Sequence, residues 1–552
     1  MATTIDIDLS CDRLIAIASD MVDNHNYIGA LKMLNKNADR HGNEEDALML
    51  YAEIFDDMGL FEKCINGWFR YMDVTDSQDM SDCYEGLAIN FMNVGNEKIS
   101  AYYYNKLLNE CDGINLSAWE EIVKDFLQTD ENPLKFVYPP SIADCTPVMS
   151  AGVEKMREGD FEGACREFEK IDELNPGYSS ARNYIAMCKI ISDKTDEAEK
   201  ECLKILEKHP HDIQALTTLA AVKTEAGDEE EARALAEKLL TIDIDDADEI
   251  YKIATVCCEN RMHEQAYKLF CKLPAEYNYD LNVTYFKAVS AFNCGKYDES
   301  FDAFDRIATI YPEAVTARFY YNAAREMYKN GESAELSYFY RMPQAIRESS
   351  LKMLAAYMRL SQANAKKLSS ELNLTSCIRW CFDESDGRHG EELRALATQV
   401  AVKSGDDDCV REILLDAFVS DKLKLDALSS LAERNRFDCF GIVVYNIYRR
   451  VTTQALSLGR SRKKNFIAAY AWLVAHFSIL DDEYGKAFAA AAQDLYVELA
   501  ESRRLDAAKD AEALTAAVYM LSGVKDAGVD SDHITEFFGV SNERIQKITG
   551  KI

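Results

Sequence analysis

The chain has 552 residues, room for several domains or one extended array, and its 95 Asp and Glu against 62 Lys and Arg leave a formal net charge of −33. Such a surface repels nucleic acid and anionic membrane and favours solubility or a basic partner. Nine prolines, 24 glycines and 28% charged residues suit an all-helical protein.

The first residues, Met1-Ala2-Thr3-Thr4-Ile5-Asp6, lack a basic start and an apolar core, so no secretory leader is expected and the expected location is cytoplasmic. Ala18 and Ala52 lie 34 residues apart, as do Tyr27 and Phe61. Gly59 and Gly95 mark turns, with Ala88 in a small-residue position. We read divergent helix-pair repeats over 1–114. Residues 115–144 form an irregular connection. Within it Asn132–Pro140 holds three of the nine prolines, so it is not one continuous helix. It is either an irregular repeat or a hinge.

The step of 34 becomes regular next. Ala164, Ala198, Ala232 and Ala266 are followed at the same step by Ser300 and Ala334. Pro176, Pro210 and Pro312 keep the same spacing, and Gly159, Gly227 and Gly295 keep twice that step. In the units that carry one, a first helix ends at the glycine, which accepts the backbone angles of a tight turn. A second helix follows and stops before the next unit. The small residue sits where the two helices cross, because only a short side chain lets their axes approach. Units of this kind bury surface against their neighbours and leave an open face for binding.

These residues resemble the tetratricopeptide repeat family. In its pattern, the small residue of the first helix falls on Gly152, Ala186, Ala220, Ala254 and Ala288. The aromatic that opens the second helix falls on Phe161 and Tyr297. The family's early tryptophan is replaced, with Arg182 or Thr284 in its place. The resemblance implies six repeats over 145–345 in a right-handed α-α superhelix, and an activity of binding a protein or peptide, possibly basic, on its concave face. The implied face carries Asn183, Thr217, Tyr251, Tyr285 and Phe319 at one position, and Tyr184 with Phe286 and Tyr320 at the next. Met187 joins them. Aromatics are well suited to such a surface. The alternative is a rotated first helix, since Thr284 and Lys287 occupy nominal core positions. Tyr285 and Phe319 would then be core. The family's two-carboxylate clamp is not matched: Met149, Val153 and Thr217 stand where Lys or Asn is needed, and Asn183 alone fits.

Beyond 345 the step is lost while helical periodicity persists. Leu393, Leu396, Ala397, Val400 and Ala401 share one face, and Val410, Ile413, Leu414 and Ala417 another. Between them Gly405-Asp406-Asp407-Asp408 offers a turn and helix-capping carboxylates. Residues 346–500 resemble irregular HEAT-like repeats. Phe466–Leu480 is apolar but too short to span a membrane, so it reads as a buried helix. Arg449, Arg450, Arg460, Arg462, Lys463 and Lys464 gather around a loop at Gly459, either an anion-binding patch or a loop pairing with the acidic array.

The end-piece, 501–552, resembles a helix-turn-helix and the end of a cyclin-box repeat. Gly539 would make the turn and Ser541 would cap the second helix. Asn542, Arg544, Gln546 and Lys547 would then be candidates for base contacts. That makes a DNA-contacting regulator the alternative to a scaffold or adaptor. Nearly all negative charge lies in 1–340, and 341–552 is close to neutral. The 16 cysteines show no paired metal spacing and read as reduced thiols. No catalytic motif, metal site or cofactor site is expected.

Overall fold

The computed structural model describes every residue except 1–9, 43, 112–144, 158, 172–176, 193, 362–363, 366–367, 369–373, 384–386, 434–438, 455, 478–481, 525–533 and 551–552. The proline-containing stretch Asn132–Pro140 and Pro176 lie outside the described residues. The protein is all-α, and among the described residues one two-stranded hairpin is the exception. The chain divides into two compact units, one from 125–342 and one from 1–124 with 343–552.

The first of these units is built by the repeat. Its pairs are α7 (Thr146–Arg157) with α8 (Phe161–Phe168), α9 (Tyr178–Ile191) with α10 (Thr195–Lys208), and α11 (Ile213–Glu225) with α12 (Glu229–Leu239). Then come α13 (Ala247–Glu259) with α14 (His263–Phe270) and α15 (Leu281–Asn293) with α16 (Tyr297–Ile310). The crossing residues Ala164, Ala198, Ala232, Ala266 and Ser300 are all buried, as are Ala186, Ala220, Ala254 and Ala288 on the first helices. At Gly152 a Cβ would sit 2.4 Å from the Phe168 ring, so this crossing admits no side chain at all. Gly159, Gly227 and Gly295 turn the chain with φ of 79°, 77° and 78°. Part of the acidic charge is structural. Asp160, Asp212, Asp228, Asp246 and Asp280 each accept a backbone N–H three residues on and so cap a helix.

The sixth repeat departs from the sequence expectation. A single helix, α17 (Val315–Asn330), follows the fifth pair and ends at Gly331 with φ 67°. Ala334, sixth in the small-residue series, is exposed and lies in a non-helical segment. No helix crosses α17 there, so nothing requires a small residue.

The other unit joins the two ends of the sequence. Its N-terminal pairs are α1 (Cys11–Asp23) with α2 (Tyr27–His41), α3 (Glu45–Asp57) with α4 (Phe61–Val74), and α5 (Ser81–Asn93) with α6 (Glu97–Glu110). Ala18, Ala52 and Ala88 are fully buried at the crossings. The later helices are α18 (Gln344–Arg359), α19 (Leu374–Asp383), α20 (Gly387–Ser404), α21 (Asp407–Leu415) and α22 (Asp421–Glu433). After the hairpin come α23 (Lys463–Phe477), α24 (Asp482–Glu501), α25 (Ala511–Ser522), α26 (Ile534–Phe537) and α27 (Asn542–Thr549). As the sequence suggests, Gly405 turns the chain and Asp406 caps α21, accepting the Cys409 N–H at 3.1 Å. The core of α23 includes buried Phe466, Tyr470, Leu473, Val474 and Phe477. Among the described residues no helix is long and apolar enough to cross a membrane.

The hairpin pairs β1 (Cys439–Val444) with β2 (Ile447–Thr452) in antiparallel register, Cys439 opposite Thr452 and Val444 opposite Ile447. Tyr445 and Asn446 make its two-residue turn with φ of 52° and 61°, the left-handed geometry that matches strand twist. It docks on the N-terminal helices. Asp73, only 6% exposed, pairs with Arg411 at 2.7 Å and accepts the Tyr448 hydroxyl at 3.1 Å. Arg450 donates to the Asp73 carbonyl at 2.9 Å, and Tyr103 donates to the Asn446 carbonyl at 2.8 Å. Asn66 donates to Asp416 and accepts the Ala417 N–H. On the other side Lys424 is buried and donates to the Val443 carbonyl at 2.7 Å, and burial pushes its amine down to about 8.

Candidate peptide-binding groove

Past Gly331 the backbone is satisfied in neither a helix nor a sheet. Residues 335–341 cross the last repeats without regular structure: the chain bends at Tyr338, Phe339 and Arg341, and the Arg341 N–H donates to the Phe339 carbonyl at 2.7 Å. Leu336 is buried, Tyr338 and Tyr340 are half-buried, and the intervening Phe339 is 80% exposed. Side chains of the array hold this segment by its backbone. Asn293, at the end of α15, accepts the Leu336 N–H at 2.8 Å and donates to the Leu336 carbonyl at 3.0 Å. The Tyr285 hydroxyl donates to the Ser337 carbonyl at 2.9 Å. The Tyr320 hydroxyl donates to the Arg341 carbonyl at 2.8 Å.

The inward side chains occupy defined places. Leu336 joins the apolar cluster of Tyr285, Val289, Phe292 and Ala324. Tyr340 meets Tyr285 edge to face at 4.9 Å. Tyr338 stacks on His263, its hydroxyl 2.8 Å from Nδ1. Glu335 lies 3.4 Å from His263 Nε2 and 4.0 Å from Arg261. Asn293 and His263 also border an open pocket with Arg233, Arg261 and Lys296, a local concentration of basic groups in an acidic chain.

The sequence-derived binding residues divide on this frame. Tyr285 is fully buried, and Asn183 and Tyr320 nearly so, at 5% and 8% exposed. For these three the expectation of an open partner-binding surface is corrected: they are core residues, as the rotated-helix alternative held for Tyr285. The reason is packing. Tyr285 makes ring contacts with Phe304, Tyr320 and Tyr340, which leaves no face open. Its burial pushes the phenol well above its ordinary range. The hydroxyls of Tyr285 and Tyr320 bond to the backbone of the 335–341 segment. Thr217 is buried too and donates to its own helix at the Gln214 carbonyl.

The rest remain partly accessible. Tyr184 is half-buried and stacks on Phe168 at 5.1 Å. Tyr251 and Phe286 are half-buried against Phe270. Phe319 is half-buried beside Tyr320, and Met187 is 39% exposed. Asn293, His263 and the segment itself escaped the sequence reading. The alternation of Leu336, Tyr338 and Tyr340 after a glycine was the available signal.

The alternative nucleic-acid surface is accounted for differently. Gly539 turns the chain with φ 62° and Ser541 caps α27, as the sequence suggests. Asn542 and Gln546 are exposed. Arg544, however, forms a fork with Asp510 at 2.7 and 2.8 Å and meets Glu512 at 2.9 Å. Those hydrogen bonds hold the Asp510 carboxyl below its usual range. Lys547 pairs with Glu543 at 3.0 Å. Both cations thus have acidic partners within the end-piece. Near Gly459 the loop runs from β2, which carries Arg449 and Arg450, to α23, which opens with Lys463 and Lys464; Arg450 is bound to Tyr448 and Asp73, and Arg462 pairs with Asp506.

Residues 155–222 match the family model described as tetratricopeptide repeat. Residues 225–307 match that of the anaphase-promoting complex, cyclosome, subunit 3. No curated protein matches the chain. Similar solved structures include a tetratricopeptide repeat protein from Parabacteroides merdae, 17% identical over 48% of this chain and 92% of that one, with a TM-score of 0.22. Yeast Tom70 is 14% identical over 76% and 94%, with a TM-score of 0.30. The APC/C hetero-tetramer Cut9-Hcn1 gives 12% over 91% and 95%, with a TM-score of 0.22. These superpositions are poor, and the family assignment of the middle array rests on the two family models.

Proposed function

We propose that this chain, a tetratricopeptide-repeat protein, is a non-catalytic interaction scaffold whose repeats hold a non-helical segment of a protein partner. One observation carries the reading: the array already holds a non-helical piece of polypeptide, its own residues 335–341, by four hydrogen bonds between side chains and backbone. Recognition of backbone by a fixed frame, with pockets for alternate side chains, is how folded domains take extended peptides. The partly accessible Tyr184 and Met187 on α9, Tyr251 on α13, Phe286 on α15 and Phe319 on α17 supply apolar contact. The acidic surface favours a partner with basic residues. The scaffold is placed in the cytoplasm, with its cysteines reduced.

A photo-crosslinking residue tests this. Placed at Met187 on a first helix, it should capture a protein partner from native extract. Placed at Leu203 on a second helix, 43% exposed, it should capture far less. Equal capture at both positions, or none at Met187, contradicts the reading.

A further inference from the structure

The segment 335–341 is not needed to complete a helix pair, yet it covers the binding face of the last repeats. Its backbone groups bond to Asn293, Tyr285 and Tyr320, and these bonds read no particular sequence. Its sequence enters through four side chains. Glu335 faces Arg261 and His263, Leu336 enters the apolar cluster, and Tyr338 and Tyr340 lie on His263 and Tyr285. Phe339, between them, projects into solvent and adds nothing to the hold. From this arrangement we infer that the segment is a built-in occupant of the groove, and that the partner it stands in for is a non-helical polypeptide segment of the pattern acidic–Leu–x–aromatic–x–aromatic.

The inference rests on the reading of the array as a peptide-binding frame and adds two statements to it. The ligand chemistry follows from the four side chains just named. The competition follows from tethering. An occupant joined to α17 by a few residues sits at an effective concentration in the millimolar range. A free segment of equal contacts is therefore held off until it exceeds that concentration, or until the tethered one is loosened. Apparent affinity falls by the fraction of molecules whose groove is open.

The test uses the full chain and a fluorescent peptide of residues 332–342. In the variant Leu336→Asp with Tyr338→Ala, the tethered segment loses two of its inward contacts. This variant should bind the peptide at least about tenfold more tightly than the parent chain. Adding Asn293→Ala should remove that gain, while Phe339→Ala in the parent should leave peptide binding unchanged. Equal binding by the parent and the loosened variant would overturn the proposal, as would full binding without Asn293. Crosslinking at Met187 would still decide the broader scaffold reading.

A second measurement does not depend on the loosened variant folding. An environment-sensitive side chain installed at Phe339 should change its signal when excess peptide displaces the tethered segment. A peptide carrying Asp in place of its leucine should not produce the change. A signal unmoved by millimolar peptide overturns the proposal by itself.

Discussion

The two compact units bury similar kinds of residue and are specified in different ways. In 125–342 almost every contact that fixes the fold is made between neighbours one repeat apart, and the small-residue step of 34 writes that contact directly into the sequence. In the other unit, the contacts that matter join Asp73 to Arg411 and Tyr448, and Tyr103 to Asn446, across more than 300 residues. Local contacts can be read from a period; distant ones cannot. The difference should also appear in how damage spreads, because repeat units couple chiefly to their neighbours.

The largest expected effect tests the distant contacts. Asp73→Ala leaves the Tyr448 hydroxyl and the partly exposed Arg411 without their shared acceptor, and should cost about 3 kcal/mol. Chemical denaturation followed by hydrogen exchange should show the N-terminal helices and the hairpin loosening together. Loosening of α9–α16 as well would break the comparison.

A pH dependence sharpens it. His476 is stacked on Trp472 at 3.6 Å, and burial is the main reason its imidazole is held down to about 4. An unfolded histidine titrates near 6.5. Between about 6.5 and 4 the unfolded state therefore binds more protons, and stability falls as pH is lowered through that window, by up to about 3 kcal/mol. Above about 6.5 this group contributes no pH dependence. The loss should be confined to the unit containing α23 and should be absent in His476→Phe.

The local contacts are tested next. Ala198→Leu adds three carbons at a fully buried crossing and should cost about 2 kcal/mol. Exchange should rise in α9–α12 and remain as before in the unit carrying Asp73. Melting like the parent would mean that the crossing assigned to Ala198 is wrong. The smallest effect belongs to the end-piece. Arg544→Ala removes a surface fork with Asp510 and Glu512 and should cost under about 1 kcal/mol. A loss of duplex DNA binding in that variant, titrated at low salt, would restore the nucleic-acid reading.

What the sequence made legible follows the same division. The crossings at Ala164, Ala198, Ala232 and Ala266 and the turns at Gly159, Gly227 and Gly295 were readable because each constraint recurs. Tyr27, Phe61, Phe161 and Tyr297 open second helices for the same reason. Ala334 continued the series by coincidence and concealed the end of the array. The hairpin carries only half of its usual signal: Phe440, Ile442 and Val444 alternate as a strand does, but the Tyr445-Asn446 turn lacks the glycine that marks a two-residue hairpin. The burial of Tyr285 was one of two rotations the sequence allowed, and only the packed rings decided between them. Arg544 could not be assigned from sequence, because its acidic partners Asp510 and Glu512 lie at the start of α25 rather than on its own helix.

The central claim is that this array holds non-helical polypeptide by its backbone, and amide exchange of the parent chain tests it most directly. The Leu336 amide belongs to no helix and no sheet, yet it donates to Asn293 Oδ1 at 2.8 Å beneath a buried side chain. It should exchange about as slowly as the interior amides of α15 and lose that protection in Asn293→Ala while α15 keeps its own. Exchange of the Leu336 amide at the rate of an open loop in the parent chain would contradict the account.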